Sequence, residues 1–110
     1  MFVIEQKNKK IILTRGDTAS MLIQIIDLEG KAYEIQNTDV ITFTMRKTPK
    51  SEIAVQKVAD ENHYILIAPE DTSSLNTGLY VYDVQLRSGD NIYTIVPMSY
   101  FELRNEVTYG

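Results

Sequence analysis

A chain of 110 residues with 44% hydrophobic content is long enough for one ordinary domain with a core of its own, and its lack of cysteine excludes disulfide staples, thiolate metal centres and cysteine nucleophiles. The net charge is −4, from 11 Lys and Arg against 15 Asp and Glu. The basic surface that attracts nucleic acid or an anionic membrane is therefore not expected.

Ile, Val, Thr, Tyr and Phe together supply 41 residues. These types suit a pleated, half-buried surface, and the apolar positions recur every second residue, so the reading is all-β. In chain order, Met1-Phe2-Val3-Ile4-Glu5-Gln6 lacks the basic, apolar, small-residue order of a secretory signal. The chain is expected to begin near Met1 and to be made and assembled in a reducing cytoplasm. Phe2 to Gln6 predicts a short edge strand. Lys7-Asn8-Lys9-Lys10 is the most basic run and reads as a solvated turn.

Lys10 to Thr14 predicts a strand, closed by Arg15-Gly16-Asp17. That tripeptide is the one integrins read, but Gly and Asp also suit a turn for backbone reasons alone. Thr18 to Ile26 alternates, with Ala19, Met21, Ile23 and Ile25 on one face and Ser20, Leu22, Gln24 and Ile26 on the other. Asp27-Leu28-Glu29-Gly30 predicts a tight turn. Asp39 to Lys47 places Ile41, Phe43 and Met45 inward, and Thr48-Pro49-Lys50-Ser51 breaks the pairing.

Ile53 to Val58 is the next strand, and Asp60-Glu61-Asn62 a hairpin-like break. His63 to Ala68 is nearly all apolar, which predicts a central strand covered on both faces. Pro69 followed by acids predicts one short helical turn near residues 69–75, crossing between sheets. Gly78 to Arg87 is the clearest strand, with Tyr80, Tyr82, Val84 and Leu86 on one face. Ser88-Gly89-Asp90-Asn91 is a hairpin turn. Ile92 to Val96 returns, Pro97-Met98 ends it, and Ser99 to Arg104 supplies the last strand. The sum is about eight short strands in a single domain, residues 1–110 with a core at about 10–104. The pattern fits a β-sandwich or a small barrel.

Chemistry is sparse. His63 is the single histidine, at a strand end and without a nucleophile or orienting group in a motif around it. Adjacent acids such as Glu70-Asp71 point to opposite faces of a strand, and Asp27-Leu28-Glu29-Gly30 lacks a third calcium ligand at loop spacing. No phosphate loop, nucleophile elbow or dinucleotide fingerprint is present. The expectation is a chain with no catalytic residues, no cofactor and no metal. Leu22, Ile26, Tyr93 and Tyr100 fall off their strands' inward sets. They are the candidate interface, as an apolar patch that wants a partner.

Ile12-Leu13-Thr14-Arg15-Gly16-Asp17-Thr18, Val40-Ile41-Thr42-Phe43-Thr44-Met45-Arg46, Gly78-Leu79-Tyr80-Val81-Tyr82-Asp83-Val84-Gln85-Leu86, Tyr93-Thr94-Ile95 and Phe101-Glu102-Leu103 together resemble small structural proteins of phages and prophages of Gram-positive bacteria. The likeness is to the N-terminal domain of phage upper baseplate proteins. It implies an immunoglobulin-like antiparallel sandwich that docks other virion or tail proteins, with a homo-oligomer as a further possibility. It implies a final location in the tail or baseplate. The alternative is a carbohydrate-binding module on a similar sandwich, which needs exposed aromatic rings on a concave face and usually uses Trp, absent here.

Overall fold

The alternation read from Val40 to Arg46 becomes an alternation of burial. Ile41, Phe43 and Met45 are buried, while the residues between them face outward. The structure, a computed structural model, describes residues 2–4, 9–26 and 29–106. Of these, 54% are in strands and 4% in helix, which is the all-β class expected from composition. The predicted strand ends at Glu5-Gln6, the run Lys7-Asn8, the turn start Asp27-Leu28 and the tail 107–110 lie outside the described residues.

The strands are β1 (Phe2–Ile4), β2 (Ile11–Thr14), β3 (Ala19–Leu22), β4 (Val40–Arg46), β5 (Ile53–Val58), β6 (Tyr64–Ile67), β7 (Gly78–Ser88) and β8 (Asn91–Arg104). The large sheet has the order β1-β2-β8-β7-β4-β5, and the small sheet is the pair β3-β6. All pairings are antiparallel except β2 with β8, which is parallel. The large sheet curls so that β5 touches β6. Side chains from both sheets meet in one apolar cluster, centred on Phe43, Tyr82 and Phe101. The Phe43 and Tyr82 rings stack at 5.3 Å between centroids, and Phe101 meets both edge-on. Aromatic pairs favour these two geometries over a face-to-face sandwich.

The predicted helical turn is present as α1 (Pro69–Thr72), between β6 of the small sheet and β7 of the large one. Pro69 opens it, where a missing N–H costs nothing. The Asp71 carboxylate accepts the Ala68 N–H at 2.7 Å and the Lys57 ammonium at 2.8 Å, which ties the turn to β5. Thr72 is fully buried, and its hydroxyl accepts the Gly16 N–H at 2.9 Å.

Three expectations need correction. Residues Thr18 to Ile26 do not form one long strand: the β3 ladder ends at Leu22, and 23–26 continue with isolated bonds only. The apolar run from His63 to Ala68 is not a central strand. It is β6, half of a two-stranded sheet, with Ile65 and Ile67 buried but Tyr64 and Leu66 exposed. Finally, Pro97-Met98 does not end a strand. β8 runs through it, because two register shifts against β7 absorb extra residues there. A bulge is one of the few places a sheet accepts a residue without an N–H.

Candidate docking surface

The two sheets leave a hollow between them. Its floor is the inner face of the β7–β8 hairpin at Val84, Leu86 and Val96, and its wall is the chain from Met21 to Ile26. The volume is about 760 Å³, and among the described residues Lys9 is the one charged residue that lines it. The hairpin reaches this far because Ser88 pairs Asn91 across a two-residue turn, with Gly89 at φ 62. A type II′ turn needs a positive φ at its first central residue, and Gly supplies it without a steric penalty. One register shift in β8 makes Ile95 the extra residue opposite Val84 and Gln85, so Ile95 and Val96 both pack against the core beside the hollow.

The wall has its own logic. Ile23 N–H donates to the His63 carbonyl at 2.9 Å, and the Ile25 carbonyl accepts from Tyr33 N–H at 2.8 Å. Backbone groups alternate sides along a strand. Ser20, Leu22 and Gln24 therefore turn their N–H and C=O away from β6. At the far end of the hollow the Tyr33 hydroxyl donates to the Asp39 carboxylate at 2.7 Å. The Gln36 N–H and then this hydroxyl hold the Asp39 carboxyl below its ordinary value, and the carboxylate in turn raises the Tyr33 phenol.

Leu22, Ile26 and Tyr93 all border this one hollow, at 47%, 68% and 53% exposed. Tyr100 is equally exposed but sits elsewhere. It pairs with Val81, whose side chain faces away from the core, so it belongs to the outer face of the large sheet. Sequence reasoning missed Tyr64 and Leu66, which lie across the small sheet from Leu22 and Ser20 and are exposed with them. Their signal was masked because an unbroken apolar run reads as burial on both faces.

The remaining motifs resolve locally. His63 adopts φ 69 at the break before β6, where Asp60 accepts the Asn62 and Tyr64 N–H groups at 2.9 and 3.0 Å. The Arg15 guanidinium is turned into the fold, bonded to both Glu106 oxygens and to the Leu75 carbonyl, and Gly16 turns at φ 84. The tripeptide is thus a structural corner. No group of three or more His, Cys, Asp or Glu among the described residues is placed to hold a metal ion. On the outer face, Arg46, Gln56, Asp83 and Gln85 line a shallow hollow of about 300 Å³. No helix among the described residues is long and apolar enough to cross a membrane. Compared with known proteins, the chain matches no protein-family model and no curated protein.

Proposed function

We propose that this chain is a non-enzymatic docking module, an immunoglobulin-like sandwich that joins protein components of a phage or prophage tail. The observation that carries the docking role is the exposure of Leu22, Ile26 and Tyr93, each about half exposed or more, around the border of one hollow that among the described residues only Lys9 lines with charge. Large apolar side chains grouped this way mark interaction surfaces.

Several features support the immunoglobulin-like reading. The order β2-β8-β7-β4-β5, with β2 parallel to β8, faces the pair β3-β6. The Tyr80 hydroxyl donates back to the Asn76 carbonyl at 2.6 Å, just after the helical turn that leads into β7. This bond resembles the tyrosine corner of such sandwiches. Tyr82 then stands two residues on, where antibody domains place a cysteine, and Phe43 on β4 packs against it as their Trp does. The phage assignment rests on the sequence resemblance.

Particles purified from the organism that encodes the chain provide the test. Mass spectrometry should find it alongside tail proteins, and antibody labelling should mark the tail. Absence from particles overturns the assignment. The carbohydrate-binding alternative has the polar hollow at Arg46 and Asp83 in its favour, but no exposed ring lines it. Retention on a glycan array, abolished by Asp83→Ala, would favour that reading instead.

A further inference from the structure

We draw no further inference here: the strongest candidate, the apolar hollow between the chain from Met21 to Ile26 and the β7–β8 hairpin, bordered by exposed Leu22, Ile26 and Tyr93, belongs to the docking surface already described, and nothing in the structure shows what covers it.

Discussion

The Arg15 guanidinium holds both carboxylate oxygens of Glu106, at 2.9 and 3.2 Å, across 91 positions of the chain. The bond joins the turn after β2 to the end of β8, where Arg15 N–H also donates to the Arg104 carbonyl at 2.8 Å. The fork of two parallel N–H···O bonds gives geometric specificity as well as attraction.

This pair, with its neighbours, shapes the acid limb of stability. The Arg15 hydrogen bond holds the Glu106 carboxyl below its ordinary 4.5, and Arg104, then Lys10, do the same for Glu102. Partial burial pushes the Asp71 carboxyl up, but Lys57 and the Ala68 N–H outweigh it and leave it low. A depressed folded pKa contributes stability that is whole above the unfolded value and disappears as pH falls through the folded one. Urea midpoints should therefore hold level down to the ordinary carboxylate range and then drop. Arg15→Ala should lower the neutral-pH midpoint and make the acid drop shallower. An identical slope in the variant would separate Glu106 from acid unfolding.

Base unfolding should report Tyr82. Burial pushes its phenol up to about 12, against a smaller lowering by the Ser99 hydrogen bond, and its hydroxyl donates to the Lys9 carbonyl. A raised folded pKa contributes stability that is whole below the unfolded value, about 10, and is lost as pH climbs toward 12. Tyr82→Phe should cost about 0.5–1.5 kcal/mol at neutral pH and flatten the stability loss in that window. Denaturant titrations at stepped pH read both effects.

Thr72→Val tests a single buried hydrogen bond. The swap keeps the shape but leaves the Gly16 N–H without its acceptor, a loss of about 1–3 kcal/mol. Thr72→Ser keeps the oxygen and drops one methyl, at about 0.8 kcal/mol. Valine should therefore destabilise more than serine in urea unfolding. The reverse order would mean that packing, not the hydroxyl, matters at this fully buried site.

Phe101→Ala should be the most damaging of these changes. The ring is fully buried and meets both Phe43 and Tyr82. Truncating such a side chain costs about 3–5 kcal/mol, through lost transfer energy and the cavity left behind. Guanidinium unfolding with an unchanged m-value would confirm loss of stability without a change of denatured state.

Much of this architecture was legible because parity along a strand is a local property. Ile41, Phe43 and Met45, or Tyr80, Tyr82, Val84 and Leu86, read as inward from spacing alone, and all are buried. The same parity flagged Leu22, Ile26 and Tyr93 as exposed. It failed at β6, where Tyr64-Ile65-Leu66-Ile67 has no polar residue to mark which face is wet. It failed again at Pro97, because a proline that terminates a regular ladder is accommodated in a bulged one.

By itself, then, the amino-acid order determined the class, the turns and the inward side chains, since each depends on neighbours two to four positions apart. Only the tertiary structure decided that Leu22, Ile26 and Tyr93 border one hollow while Tyr100 does not, and that β3 pairs with β6. Those facts depend on which strands pair and where registers shift. Such pairings join residues as far apart as Arg15 and Glu106, and no local spacing encodes them.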